Sequence, residues 1–141
     1  MPTGPGVDEL AAIARAHAAA EAADDLEGTL ATLDDNPVYE LLPMGVAFRG
    51  RAAARAYYEH FFGTVRPLVR GYELRDEWVN DRGLAQEYLI EFGLAEGVER
   101  HPVLSILTFG AAALSGERVY GSDRLLVLLF GPVLGLARPL G

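Results

Sequence analysis

Cysteine is absent from this chain of 141 residues, which excludes disulfide scaffolds, cysteine nucleophiles and thiolate metal sites. Lysine is absent as well. All 12 basic residues are arginines, set against 20 acids for a formal net charge of −8. The arginines are scattered, and an acidic chain without a basic patch repels phosphate backbones, so no nucleic-acid partner is expected. Avoidance of lysine beside abundant alanine, glycine, leucine, valine and arginine marks GC-rich coding. Long hydrophobic runs are missing too. The longest, Leu125 to Ala137, is too short for a bilayer span and is broken by Gly131-Pro132 and Gly135. Met1 to Gly6 has neither a basic start nor an apolar run, so no signal peptide is expected and a soluble, cytoplasmic protein with no membrane partner is.

Half the residues are apolar, and the length suits one domain with a single core. After a flexible lead over residues 1–6, Leu10, Ile13, Ala14, His17 and Ala18 recur at helical spacing in an alanine-rich segment. Asp24 with Glu27 resembles a second helix start, and Leu26, Leu30 and Leu33 continue one face until Asp34-Asp35-Asn36-Pro37 ends it. Short strands are predicted over Val38–Leu42 and Gly45–Phe48, then an aromatic-rich helix over Arg51–Phe62 closed by Gly63. Beyond this the period changes from helical to alternating. Tyr72, Leu74, Asp76 and Trp78 alternate with charged residues, a turn follows at Asn80–Gly83, and Gln86, Tyr88, Ile90 and Phe92 share one face of the next strand. A strand over His101–Phe109, a loop over Gly110–Gly116 and a short strand over Glu117–Tyr120 come next; Ser122 and Asp123 then cap the apolar segment 125–141. Helices first and a curved antiparallel sheet second make an α+β domain spanning 1–141.

The segments LDDNPVYE, FRGRAAARAYYEHFF and GERVYGSDRLL, in that order, resemble the SnoaL-like branch of the nuclear-transport-factor-2-like superfamily, which includes ketosteroid isomerases, polyketide cyclases and limonene-type epoxide hydrolases. The resemblance implies a cone: a bent sheet wrapped around the N-terminal helices, an apolar cavity open at one end, and a homodimer through the outer sheet face. Members of such a superfamily differ in function, so activity has to be argued from the site.

Counted from Asp34-Asp35, Glu40 falls where the isomerase branch carries the carboxylate that moves a proton between carbons. Among Val38, Tyr39, Leu41 and Leu42 a carboxylate is desolvated, as a general base requires. The other reading has Glu40 pointing outward or paired with Arg49. Cyclase-like relatives end with a tyrosine, one residue and an aspartate. Here Tyr120 is followed by Ser122 at the matching position, with Asp123 displaced by one, so Asp123 is either the acid or a helix cap. An inward Asp76, in its acid form, would donate a hydrogen bond to an oxyanion; otherwise it lies in solvent. His101 shares parity with Val103, Ser105 and Leu107 and is either an acid/base or an ordinary hydrogen-bonded residue. Tyr39, Tyr57, Trp78, Tyr88 and Tyr120 are candidate ligand contacts, with core packing as the alternative.

Glu99 and His101 can share a face, but two ligands do not close a metal site, and no metal or cofactor is expected. There is no glycine-rich phosphate loop. An epoxide hydrolase needs an arginine between two aspartates around one water. The strand Gln86–Glu91 has no arginine, and adjacent Arg75 and Asp76 face opposite ways. Two functions remain in view: cofactor-free proton transfer on a small apolar carbonyl compound (isomerisation or cyclisation), and binding or dimerisation without turnover.

Overall fold

The computed structural model describes residues 5–140, so most of the N-terminal lead lies outside the described residues. Helix α1 (Val7–Ala22) buries Leu10, Ala11, Ala14 and His17 along one stripe. A turn with Asp24 in the left-handed region, at φ 55°, leads to α2 (Leu26–Ala31). The cap is Asp25, whose carboxylate accepts from the Gly28 amide at 2.9 Å, one residue beyond the predicted Asp24. The helix also ends sooner than predicted. Leu33 opens β1 (Leu33–Leu42), so Asp34 to Pro37 belong to a strand. Pro37 is tolerated because the pairing register shifts between Leu33 and Val38.

Strand β2 (Val46–Arg49) returns antiparallel to β1, and Gly50, at φ 95°, turns the chain into α3 (Arg51–His60). Gly63 does not close this helix. The chain widens into a π turn over Phe61–Val65 and tightens into a 3₁₀ turn over Arg66–Leu68. An antiparallel meander follows: β3 (Val69–Asn80), β4 (Gly83–Leu94), β5 (Gly97–Phe109) and β6 (Leu114–Tyr120). Strand β6 starts three residues earlier than predicted. Helix α4 (Asp123–Phe130), capped by Ser122 accepting from the Leu125 amide, and a 3₁₀ turn over Gly131–Leu136 lead to β7 (Arg138–Pro139).

The seven strands run in the order β3-β4-β5-β6-β1-β2-β7 in one curved, unclosed sheet. The α+β class and the N-terminal helices agree with the sequence reading. The β1–β6 pair is parallel, which makes the sheet mixed. Gly116, at φ 144°, permits that pairing, since a Cβ there would run into the Val38 carbonyl.

One irregularity decides which side chains face inward. In the β3–β4 pair Leu74 opposes Tyr88 but Asp76 opposes Glu87, so Arg75 is the extra residue of a bulge. Tyr72 and Leu74 before it, and Glu77 after it, therefore share a face; Asp76 and Trp78 lie on the other. The expected grouping of Tyr72, Leu74, Asp76 and Trp78 on one apolar face is thus corrected, and Trp78 is 52% exposed.

The core joins α3, β1, β2 and α4. Tyr57 stacks on Phe130 at 4.6 Å and Tyr39 on Phe48 at 4.9 Å, contacts of about 0.5–1.5 kcal/mol each beyond area burial. Leu125, Leu126, Leu129, Phe130 and Val133 are buried within this chain, which answers where the C-terminal apolar segment goes. None of the described helices is long and apolar enough to cross a membrane.

Candidate functional site

Between the inner sheet face and the helices lies a cavity of about 330 Å³, near the lower end for small-molecule pockets. Register builds its wall row by row. Val119 of β6 opposes Ser105 of β5, which opposes Gln86 of β4. The next row sets Glu117 opposite Leu107. Helix α1 supplies His17 and Glu21, and α3 supplies Tyr57. Exposed Tyr72 and Leu74 mark the rim. There Arg66 donates to the Glu21 and Ala22 carbonyls at 2.7 and 2.9 Å and to Asp24 at 3.1 Å, holding the last turn of α1 in place.

Glu117 is a half-buried carboxyl in the wall of this cavity. The Ser105 hydroxyl donates a short hydrogen bond to its Oε2. Burial pushes the Glu117 carboxyl up to about 7; the Glu21 charge pushes the same way, while the Ser105 bond and His17 pull it back. A carboxyl in that range both accepts and donates a proton at neutral pH.

Behind it stands a polar chain in an otherwise apolar interior. His17 Nδ1 lies 2.7 Å from Thr32 Oγ1, and Nε2 lies 3.1 Å from Glu21 Oε1 and 3.0 Å from the Tyr58 hydroxyl. Tyr58 is in turn 2.6 Å from the Tyr39 hydroxyl. Burial opposes charge on the His17 ring, but the Glu21 charge and hydrogen bond, with the Glu117 charge and the Thr29 backbone, together outweigh it and leave the pKa above the ordinary histidine value. Burial also holds the Tyr39, Tyr57, Tyr58 and Tyr88 phenols protonated, so each remains a donor.

No family model and no curated protein matches this sequence. Solved structures do. An NTF-2-like protein of unknown function from Burkholderia xenovorans superposes with a TM-score of 0.65 at 23% identity, covering 82% of this chain and 84% of that one. An NTF2-like protein of unknown function from Cytophaga hutchinsonii does so with a TM-score of 0.66 at 12% identity, over 80% of this chain and 99% of its own. A hypothetical protein with a ketosteroid isomerase-like fold from Catenulispora acidiphila, solved with trimethylamine, gives a TM-score of 0.61 at 13% identity, over 86% and 94%. The chain has the NTF2-like fold.

Within this NTF2-like cone, two of the residues singled out from sequence, Tyr57 and Tyr88, line the cavity. The other seven lie elsewhere. Glu40 faces the outer side of β1, opposite Ala47 and Arg118, because Tyr39 and Leu41 take the inner face. Tyr39 is fully buried, stacked on Phe48 and bonded to Tyr58, behind the wall rather than on it. Asp76 and Trp78 are turned outward by the Arg75 bulge, and Asp76 bonds the Glu77 amide at 2.8 Å. His101 keeps inward parity but lies past the cavity against Phe92. Its Nε2 is 2.9 Å from Glu99, which also takes two hydrogen bonds from Arg124. Arg124 first, then His101, hold the Glu99 carboxyl down at about 2. Tyr120 is exposed at the end of β6, and Asp123 is an exposed first-turn residue of α4, where a carboxylate suits the helix N-terminus.

Glu117, Glu21, Ser105 and His17 were not singled out from sequence as site residues, though signals for them existed. His17 sits on the apolar stripe of α1, and Ser105 shares the parity of Val103 and Leu107. Glu117 and Val119 share a face of the GERVY strand. Among the described residues no three histidine, aspartate or glutamate side chains gather as a metal-ligand set.

Proposed function

We propose that this protein binds a small apolar carbonyl compound in the cavity and moves a proton at the carbon beside the carbonyl, with Glu117 as acid/base. The observation that carries the reading is the Glu117 carboxyl itself, facing the cavity with its pKa raised to about 7 and fixed by Ser105. As carboxylate it takes the proton. Electrons of the broken C–H bond pass into the carbonyl to give an enolate, whose oxygen is stabilised by a phenol hydrogen bond from Tyr57 or Tyr88. In a β,γ-unsaturated ketone, return of the proton from Glu117 to the γ-carbon is an isomerisation; attack of the enolate carbon on a second carbonyl opens that C=O π bond to an alkoxide, which takes the proton back from Glu117, and is a cyclisation. Neither requires a cofactor. The resemblance to the SnoaL-like branch supports the same pair of reactions.

The test is solvent deuterium exchange into cyclic ketones and polyketide-like diketones, followed by NMR with wild type and Glu117→Gln. Exchange that Glu117→Gln abolishes supports the proposal. Saturable binding of these ketones without exchange sinks catalysis and leaves the alternative, a ligand-holding pocket, which the predominantly apolar lining favours. We also propose a homodimer through the outer sheet face, where exposed Trp78 adjoins Ala85 and Ile106. Trp78→Glu is expected to lower the sedimentation coefficient, and an unchanged value refutes that seam.

A further inference from the structure

Most hydrogen-bond donors in the cavity wall are committed within the protein. Ser105 gives its proton to Glu117, and Gln86 Nε2 donates to Glu77 at 2.9 Å. Both ring nitrogens of His17 are engaged, and both terminal nitrogens of Arg66 hold the end of α1. Three lining phenols, Tyr57, Tyr72 and Tyr88, have hydroxyls bonded to no other group among the described residues. Their settings differ. Tyr72 is 52% exposed at the rim, and Tyr88 meets it edge to face at 6.0 Å, whereas Tyr57 is only 7% exposed. Neighbouring rings fix Tyr57 in place: Phe130 stacks on it at 4.6 Å, Tyr58 lies at 4.7 Å, Tyr39 at 5.8 Å, and Phe48 and Phe61 at 6.0 Å. Its hydroxyl is not sealed in, since the buried polar side-chain atom without a partner among the described residues is His60 Nε2. A rigid, largely desolvated donor that lines a cavity and bonds nothing in the protein is spare for a ligand.

Sheet register places this donor beside Glu117. Tyr39 and Glu117 are direct partners on the parallel pair β1–β6, about 4.8 Å apart, with both side chains on the inner face, and the Tyr57 ring packs on Tyr39. Tyr88 starts from farther away. It opposes Val103 while Glu117 opposes Leu107, so two strand spacings and four residues separate them, roughly 16 Å between Cα atoms. We propose that Tyr57, rather than Tyr88, donates to the carbonyl oxygen of the substrate, and that planar enols and phenols are held in the cavity by the same bond. This assignment rests on the acid/base role given to Glu117 above. As the Glu117 carboxylate takes the proton, the C–H electron pair becomes the C=C bond of the enolate and the carbonyl π pair moves onto oxygen. The Tyr57 hydrogen bond to that oxygen then strengthens. Burial keeps the proton on the Tyr57 phenol, so none is transferred there.

The experiment compares wild type, Tyr57→Phe and Tyr88→Phe in binding 2-naphthol, whose oxygen stands in for the enolate oxygen, and naphthalene, the same ring system without it. In Tyr57→Phe the affinity for 2-naphthol is expected to fall about tenfold while naphthalene binding is retained. Tyr88→Phe is expected to lose less. In deuterium exchange into ketones, Tyr57→Phe is expected to lower kcat on the order of 10²–10³ with little change in KM. No 2-naphthol binding by wild type, an unchanged affinity in Tyr57→Phe, an equal loss for both probes, or a larger loss in Tyr88→Phe overturns the assignment. So does a Tyr57→Phe protein that melts well below wild type, because a spare hydroxyl leaves the fold intact when removed. The binding arm needs no turnover. Absent exchange in wild type beside a selective loss of 2-naphthol in Tyr57→Phe therefore refutes the proposed reaction and leaves Tyr57 as the anchor for the oxygen of a ligand.

Discussion

Glu40 and Glu117 lie on neighbouring parallel strands, one register step apart, and differ in nearly every respect that matters for chemistry. Glu117 opposes Tyr39; Glu40 opposes Arg118. The Tyr39–Glu117 pair faces the interior, the Glu40–Arg118 pair the outside. On the inner side burial and the Glu21 charge lift a carboxyl to about 7, and Ser105 orients it. On the outer side the same side-chain type meets an arginine-bearing strand and solvent. The environment a residue type enters, rather than the type, makes it a candidate base, and in a strand that environment alternates with every step.

Substitutions on the inner and outer faces are expected to have unlike effects. The largest contrast is expected in turnover: under the proposed reaction, Glu117→Gln loses on the order of 10²–10⁴ in rate, while a smaller loss than tenfold in a deuterium-exchange assay would unseat it. Next comes stability. Phe92, buried on the inner face of β4, is expected to cost about 3–5 kcal/mol on change to alanine, whereas Trp78→Ala on the outer face is expected to cost under about 1 kcal/mol by denaturant melts at low protein concentration. A Trp78→Ala effect that grows with concentration would sharpen the picture by placing Trp78 in a subunit seam.

A smaller effect is the pH dependence of folding. Burial lifts the Glu117 carboxyl to about 7 in the folded protein, against an ordinary 4.5, so the folded state holds more protons between these limits. Its contribution is fully present below about 4.5 and is lost as pH rises through about 7. Glu117→Gln is expected to flatten that part of a stability–pH curve, and an equally steep curve in the variant would assign the slope to another group. Last, Glu40→Gln is expected to change stability by under about 0.5 kcal/mol and exchange not at all. A catalytic loss there would return Glu40 to the site.

How far the sequence could be read follows from these residues. The switch from helical to alternating period carried the α+β class, and β4 and β5 were read with correct faces because alternation runs unbroken through Gln86, Tyr88 and Ile90 and through Val103, Ser105 and Leu107. Strand β3 departs from its sequence pattern because one extra residue at Arg75 inverts alternation without any local mark such as glycine or proline. Glu117 is not marked by its local sequence: its strand begins three residues ahead of the apolar alternation, and the groups that give it chemical interest come from positions 17, 21 and 105, which no local pattern joins to it. Tyr57 and Tyr88 were within reach because aromatic rings on an inward face meet a cavity wherever one exists.

The bulge at Arg75 also bears on how this protein survives at concentration. Strand β3 is an edge of the sheet, twelve residues long, with one side of its backbone unpaired by β4. A flat edge of that length is a template for another chain's strand and a route to aggregation. The extra residue interrupts the straight run of free amides and carbonyls, and Arg70, Glu73, Arg75 and Asp76 place charges along it. The kink that turns Trp78 outward thus also gives the open edge a guard against strand addition.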